Sequence, residues 1–208
     1  RWPACHSKLE QEIRRSLDNS LQAYYPLDEF QQKEQNKLTS PNRLDAAQPA
    51  ALSNAVLEEG IQGQALSVND YGSLALADKV GWFGRDDAFS VDFWIHPDTV
   101  YEESNIFTHC EDRRLGLKGY SLFVRDNHLQ FIMAHSWPQN AIQVISKRAL
   151  PVKTWSRVTL TYDGSSNAEG ISLYLNGERL ETETEIDNLY KGILFVPDIH
   201  TYGFRGMH

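Results

Sequence analysis

The sequence predicts an all-β sandwich of antiparallel strands, and three observations support this fold class. Apolar and polar residues alternate through residues 119–125 and 155–162, as expected of strands with one buried face. The dipeptide Asp126-Asn127 separates two apolar runs, and Asn176-Gly177 separates two more. Tight hairpin turns need positive φ at both central positions, which these residue types tolerate best. The alternation and the turns together predict consecutive hairpins.

A short helix is predicted at the amino terminus. Ser7 and Glu10 match a capping box, in which the serine hydroxyl and the glutamate carboxylate satisfy amides of the first helical turn. Apolar residues then recur at every fourth position up to Leu21, which draws one apolar stripe along the helix. We therefore assign residues 1–22 to a leader helix or connector and residues 23–208 to one sandwich domain.

The remaining amino-terminal half predicts a mixture of strands and loop. Residues 23–27 are expected to form the first strand, whereas residues 30–54 are polar and rich in glutamine, and predict a long loop. Further strands are predicted over residues 63–68 and 71–76. The best-patterned strand covers residues 89–96, with its apolar side chains expected in the core and its tryptophan directed to solvent or a groove.

Composition limits the function classes. The chain has 208 residues, of which 41% are hydrophobic and 23% charged, as is ordinary for a globular domain. A formal net charge of -8 argues against nucleic-acid binding, which depends on lysine and arginine contacts to phosphate. We expect no membrane span, because no apolar run reaches about 18 residues. Cys5 and Cys110 lie in no C-x-x-C context, and their pairing is left open.

Several sequence segments resemble a known family. They are "AYYPLDE", "GRDDAFSVDFWIHP", "GYSLFVRDNHLQF", "RALPVKTWSRVTLTYDGSS" and "ISLYLNGERLE". In this order they are similar to the laminin-G-like jelly roll of the concanavalin A-like superfamily. More narrowly, "AHSWPQNAIQV", "EIDNLYKGI" and "YGFRGM" are similar to the module between the DUF1549 and DUF1553 regions of secreted planctomycete proteins that often carry a cytochrome c domain.

The resemblance carries several expectations. It implies a two-sheet antiparallel jelly roll, glycan binding, calcium as the one cofactor, an extracellular or periplasmic location within a larger protein, and no established catalytic residues. In the family, a Gly-Phe-x-Gly segment leads to one further strand beside the first. Because the segment around Phe204 is followed by only a few residues, the resemblance implies that this closing strand is missing.

The segment "AHSWPQN" is the first candidate for glycan contact. It combines His135, Trp137 and Asn140 within a few residues. Sugars stack their apolar faces on aromatic rings while amide and charged groups bond their hydroxyls, so this mixture suits a glycan site. The alternative is a Trp-Pro corner that packs on the sandwich.

The segment "THCEDRRLGLK" is the second candidate. Glu111, Asp112 and Arg113 stand together in a glycine-containing loop, where they could bond sugar hydroxyls. Surface charges that pair with one another are the favoured interpretation.

Calcium needs six to eight oxygen ligands. Asn69 and Asp70 are the candidate ligands, because related jelly rolls often place such a turn after a strand. The alternative is an ordinary turn.

A catalytic alternative depends on Glu181, Glu183 and Glu185, which alternate with threonines and would share one face of a strand. Some glycosidases of the resembled superfamily carry a similar alternation on a concave strand. Retaining glycosidases need two carboxyl groups roughly 5–5.5 Å apart. Because the segment contains no tryptophan, a solvated acidic strand is favoured.

The sequence as a whole predicts a non-catalytic carbohydrate-recognition module for extracellular polysaccharide. The alternative is a structural or docking domain that binds other domains of its own protein, or a partner protein, and touches no sugar. A glycosidase is the third class. Solvent exposure of Trp94 and Trp137 discriminates between the first two, because an exposed indole in a groove favours glycan and two buried indoles favour docking.

Overall fold

A computed structural model describes residues 20–28, 30–34, 37–61, 63–77, 80–195 and 203–205. These residues form two antiparallel sheets, which confirms the predicted all-β sandwich. The strands are β1 (Gln31–Glu34), β2 (Lys37–Ser40), β3 (Ala50–Glu59), β4 (Gln64–Ala75), β5 (Phe89–Ile95), β6 (Glu103–Cys110), β7 (Gly119–Arg125), β8 (His128–Ser136), β9 (Asn140–Ala149), β10 (Ser156–Tyr162), β11 (Ile171–Leu175), β12 (Glu178–Arg179), β13 (Thr182–Asp187) and β14 (Gly203–Arg205). The predicted leader helix lies outside the described residues, apart from its last two positions.

The two sheets differ in size. The large sheet has the order β1-β2-β3-β4-β14-β6-β7-β8-β9-β13, and the small sheet has the order β12-β11-β10-β5. Strands that follow one another in the chain pair as hairpins from β6 through β9, and again from β10 through β12. The inner face of each sheet is the one that packs on the other sheet.

The core lies between β7–β9 of the large sheet and β10–β11 of the small sheet. On the large sheet it contains Tyr120, Leu122, Val124, Leu129, Phe131, Met133, Ile142 and Val144, all buried. Val158, Leu160 and Leu173 meet them from the small sheet and are fully buried. Each such side chain stabilises the fold by about 1.5–3 kcal/mol.

Both predicted hairpin turns are present. Asp126 and Asn127 have φ values of 50° and 58°, and Asn176 and Gly177 have φ values of 52° and 84°. Positive φ at both central positions is the geometry whose twist matches that of the flanking strands. These turns fix the registers of β7 with β8 and of β11 with β12.

The predictions for the amino-terminal region are wrong. The predicted loop over residues 30–54 contains β1, β2 and the start of β3, whereas the predicted strand over residues 23–27 is irregular. Tyr24 is held by hydrogen bonds instead: its amide donates to Asn42 Oδ1 at 3.1 Å and its carbonyl accepts from the amide of Arg43 at 2.9 Å.

Two further boundaries differ from the sequence prediction. The strands predicted over residues 63–68 and 71–76 are one strand, β4, in which residues 69–72 bulge out opposite Asn54. The single strand predicted after the Asn176-Gly177 turn is two strands in the structure. The first, β12, belongs to the small sheet, whereas the second, β13, pairs with β9 of the large sheet. The backbone of β14 pairs with β4 and β6, and the missing closing strand stays a prediction.

Candidate functional site

The outer face of the large sheet carries a second apolar cluster. Phe123, Ile132, Ala134 and Ala141 are all nearly fully buried, although they point away from the core between the sheets. Trp137 packs against this cluster together with Leu117 and Ile186. The middle of the large sheet is therefore apolar on both faces, and polar groups placed among these residues are partly shielded from water.

Trp137 lies in the turn between β8 and β9 and joins two loops. Its amide donates to the carbonyl of Gly116 at 2.7 Å, which fastens the hairpin to the loop between β6 and β7. Its indole Nε1 donates to Gln143 Oε1 at 2.6 Å. The guanidinium carbon of Arg113 lies 5.7 Å from the ring centroid, within the range of a cation–π contact.

A bulge in β13 places Glu185 on the same face. Thr184 pairs with Val144 and Ile186 pairs with Gln143, so Glu185 is an extra residue without a partner on β9. Bulges redirect side chains in this way. The Glu185 carboxylate accepts a hydrogen bond from Gln130 Nε2 at 2.8 Å and a second, short one from Gln143 Nε2.

The two glutamines are unusual residues for the middle of a sheet. Gln130 is 0% exposed and Gln143 is 3% exposed, whereas Glu185 is exposed to solvent. The second polar atom of Gln130, Oε1, is buried and has no hydrogen-bond partner. Buried polar atoms are nearly always paired, so this carbonyl is an exception, and its burial keeps it out of contact with a ligand at the surface.

Arg113, Trp137, Gln143, Glu185 and Gln130 thus form one line of contacts across the outer face, which we call the Trp137 strip. It offers an aromatic ring, a cation and a fixed carboxylate. Aromatic faces and fixed polar groups in this combination are typical of sites for polar ligands with apolar faces.

The other residues predicted in "AHSWPQN" do not belong to the strip. His135 Nδ1 lies 2.6 Å from the carbonyl oxygen of Gly192, and the buried Asn140 accepts a hydrogen bond from the amide of Lys191 at 3.1 Å. Both residues anchor the chain that follows β13, whose Leu189 packs into the core.

The three residues predicted in the charged loop, Glu111, Asp112 and Arg113, do not contact a common site. Asp112 caps the 3₁₀ turn that begins at Arg113, and it accepts hydrogen bonds from the amide and the Nε of Arg114, each at 2.9 Å. These hydrogen bonds lower the pKa of the Asp112 carboxyl. The amide of Glu111 donates to the carbonyl of Lys118. Only Arg113 reaches the Trp137 strip.

The predicted calcium ligands, Asn69 and Asp70, lie in the bulged part of β4. Among the described residues, no group of three or more His, Cys, Asp and Glu side chains could hold a metal ion. Calcium binding stays a prediction.

The three glutamates of the catalytic alternative have different surroundings. Glu181 lies just before β13, with its Oε2 at 3.4 Å from Lys147 Nζ. Glu183 pairs with Ile145 in the ladder, two positions from the bulge that holds Glu185.

The second tryptophan of interest, Trp94, lies on the outer face of the small sheet and is 47% exposed. Arg157 pairs with it across the ladder and binds Asp92 through Nε at 2.9 Å. Trp155 lies nearby, with its ring centroid 5.2 Å from that of His96. Since Trp137 is partly exposed too, neither indole is buried.

Sequence reasoning missed Gln130 and Gln143. Each stands alone between apolar neighbours, in "LQF" and "IQV", and that isolation is the signal that could have identified them.

Comparison with known proteins identifies the fold family. The family model of the concanavalin A-like lectin/glucanases superfamily matches residues 67–193. The binding domain of Paraclostridial Mosquitocidal Protein 1 is similar in structure, with a TM-score of 0.57 and 15% identity over 88% of this chain and 44% of that one. The botulinum neurotoxin serotype C1 binding domain gives a TM-score of 0.50 and 15% identity over 89% of this chain and 43% of that one.

The chain spans less than half the length of these two structures. No curated protein matches it in sequence. No helix within the described residues is long and apolar enough to cross a membrane. From the family match, which covers more than half of its residues, the chain belongs to the concanavalin A-like lectin/glucanases superfamily.

Proposed function

We propose that this domain is a non-catalytic carbohydrate-recognition module that binds an extracellular polysaccharide at the Trp137 strip. The observation that carries the proposal is the Glu185 carboxylate, which is exposed to solvent yet held by two buried glutamine amides in line with an indole ring. A carboxylate fixed in this way loses little conformational freedom when it accepts a hydrogen bond from a hydroxyl group.

The indole supplies the apolar part of the site. Because its Nε1 is bound to Gln143 Oε1, the orientation of the Trp137 ring is set before a ligand arrives. The guanidinium of Arg113 lies over the ring, and the Arg113 side chain is 52% exposed and within 3.5 Å of Glu103. Arg113 therefore contacts the ring and Glu103 at the same time, and its exposed guanidinium can bond a hydroxyl of a sugar held at the ring.

The polar groups supply the directional part. A hydrogen bond from a sugar hydroxyl to an ionised carboxylate contributes about 1.5–3 kcal/mol. In Glu185 the two glutamine amides occupy one carboxylate oxygen, Oε2, so Oε1 is the one offered to a ligand.

The proposal also includes a location, a larger parent protein and a bound metal, which the family resemblance implies. The domain works outside the cytoplasm, as part of a larger protein, and Asn69 and Asp70 bind calcium. That the structurally similar proteins are binding domains of toxins supports a binding role. A glycan array probed with and without calcium tests the ligand class and the metal together.

Replacing Trp137 by alanine should weaken binding of the best array ligand by about 1–3 kcal/mol, because one aromatic contact is lost. Isothermal titration calorimetry measures this loss, and a melting curve shows whether the domain stays folded. Trp94→Ala is the matched control, since Trp94 is the more exposed indole and lies on the other sheet. A loss of affinity in Trp94→Ala alone would move the site to the small sheet.

Glu185→Gln should weaken the same ligand about tenfold or more, because it replaces a charge-assisted hydrogen bond by a neutral one. Glu183→Gln is the matched control: it lies on the same strand, removes the same charge and has no place in the line of contacts. Equal affinities of the two variants would show that Glu185 does not touch the ligand.

A further inference from the structure

Tyr190 is an aromatic residue outside the Trp137 strip, in the chain that follows β13. Its side chain is 61% exposed, whereas Leu189 and Ile193 on either side of it are buried in the core. We call residues 188–193 the Tyr190 segment. A single exposed aromatic residue is normal on a protein surface, so exposure alone indicates no binding site. What distinguishes Tyr190 is the way in which its backbone is held.

The start of the Tyr190 segment is fastened to the hairpin of β8 and β9, whose turn carries Trp137. The amide of Asn188 donates to the carbonyl of Ala141 at 2.8 Å. The side-chain Nδ2 of Asn188 donates to the carbonyl of Gln139 at 2.9 Å. The segment therefore begins in direct contact with the turn that carries the indole.

The rest of the segment is fastened to the same hairpin by two side chains. Asn140 is 4% exposed, and its Oδ1 accepts hydrogen bonds from the amides of Tyr190 at 3.4 Å and Lys191 at 3.1 Å. His135 Nδ1 lies 2.6 Å from the carbonyl oxygen of Gly192. Because the backbone on both sides of Tyr190 is bound, little conformational freedom is lost when a ligand contacts its ring.

The surroundings of Tyr190 repeat those of Trp137. Lys191 Nζ lies 5.8 Å from the centroid of the Tyr190 ring, and the guanidinium carbon of Arg113 lies 5.7 Å from that of the Trp137 ring. Both distances are within the range of a cation–π contact. Each ring can stack on the apolar face of a sugar while the cation beside it donates hydrogen bonds to the sugar hydroxyls.

The two rings are close enough to serve one ligand. Three peptide units separate Trp137 from Asn140, so their Cα atoms are at most about 11 Å apart. Since the Asn140 side chain bonds the Tyr190 amide, the Cα atoms of Trp137 and Tyr190 lie within roughly 20 Å of each other. Trp137 packs on the outer apolar cluster, whereas Tyr190 is mostly exposed, so the rings are separate surfaces for different sugars of one chain.

We propose that Tyr190 and Lys191 form a second sugar subsite beside the Trp137 strip, so that the domain binds an internal stretch of a linear polysaccharide rather than one terminal sugar. This inference rests on the proposed function, because the first subsite is the glycan site at Trp137. It also gives His135 and Asn140 a role as positioning residues, which hold the Tyr190 segment against the hairpin.

Oligosaccharides of two lengths test the second subsite. Disaccharides and hexasaccharides of cellulose, xylan, mannan, chitin and laminarin are titrated into the domain by isothermal titration calorimetry. In the series that binds, the hexasaccharide should bind about tenfold more tightly than the disaccharide, because only the longer chain reaches both rings. Tyr190→Ala should remove this tenfold gain and leave the disaccharide affinity unchanged. Tyr190→Phe should keep the gain, since the ring makes the contact.

Tyr24→Ala is the matched control. Tyr24 is also an exposed tyrosine, at 53%, but its backbone is held by Asn42 rather than by the hairpin of β8 and β9. We expect its loss to change neither affinity. Equal hexasaccharide affinities of the wild type and Tyr190→Ala would overturn the second subsite and leave the Trp137 strip in place. If no oligosaccharide of either length binds, the proposed function fails and the second subsite fails with it.

The order of the Tyr190 segment can be measured without any glycan. Relaxation of ¹⁵N in the free domain should give the amides of Tyr190 and Lys191 order parameters of about 0.85, as in rigid backbone. Values below about 0.6 would mean that the ring is not held in place before binding, and would overturn the proposal.

Discussion

Replacing Gly119 by alanine is expected to destabilise the domain by about 3 kcal/mol, one of the two largest effects in the molecule. Gly119 has a φ of +122°, a conformation that only glycine adopts readily. A Cβ atom there would lie 2.1 Å from the carbonyl oxygen of His109 and 2.7 Å from the Cα of Cys110. Both are backbone atoms of β6, so the ladder between β6 and β7 would have to shift.

Urea denaturation of the wild type and the variant measures this effect. Gly192→Ala is the control, because a Cβ at Gly192 meets nothing within 4 Å. We expect it to change the free energy of unfolding by less than about 0.5 kcal/mol. If Gly119→Ala proved equally harmless, the register of β6 with β7 would be wrong, and with it the position of Arg113 in the intervening loop.

The second large effect is expected for Phe89→Ala, which should lower the free energy of unfolding by about 3–5 kcal/mol. Phe89 is 7% exposed at the start of β5. Its ring stacks on Phe83 with 4.3 Å between centroids, and it meets Tyr120 at 5.3 Å and Tyr162 at 5.7 Å. Alanine leaves a cavity at the centre of these three rings.

Trp94→Ala is the control on the same strand. Trp94 lies on the opposite face of β5, where it is 47% exposed, so its loss should change the free energy of unfolding by less than about 1 kcal/mol. Thermal unfolding of the two variants compares them directly. A larger loss in Trp94→Ala would mean that the faces of β5 are reversed.

Sequence alone predicts the part of the fold that is determined locally. The hairpins at Asp126-Asn127 and Asn176-Gly177 were predictable because the turn residues and the flanking alternation fall within a few positions. The strand β5 was predictable for the same reason, and its burial alternates as expected.

The missed strands depend on neighbours distant in the chain. In β3 only Ala50 and Leu52 are buried, because this end of the large sheet lies beyond the reach of the small sheet. The strands β1 and β2 have four residues each and only one apolar residue between them, Leu38, so the sequence shows no apolar alternation there. The separation of β12 from β13 after the Asn176-Gly177 turn was unpredictable too, because β13 joins the large sheet only through its pairing with β9.

The candidate site was half predictable. Trp137 and Arg113 were selected for their chemistry, and the hydrogen bond from the Trp137 amide to Gly116 brings their loops together. The place of Glu185 beside Gln130 depends on a one-residue bulge, which leaves no trace in the alternation of "TETEID".

Binding of a glycan at the Trp137 strip can be mapped residue by residue with nuclear magnetic resonance. The ¹⁵N-labelled domain is titrated with the oligosaccharide that a glycan array selects. We expect the largest shifts at the Trp137 indole N–H, the side-chain amides of Gln130 and Gln143, and the backbone of Arg113 and Glu185. Shifts confined to β5 and β10, or no shift with any glycan on the array, would contradict it.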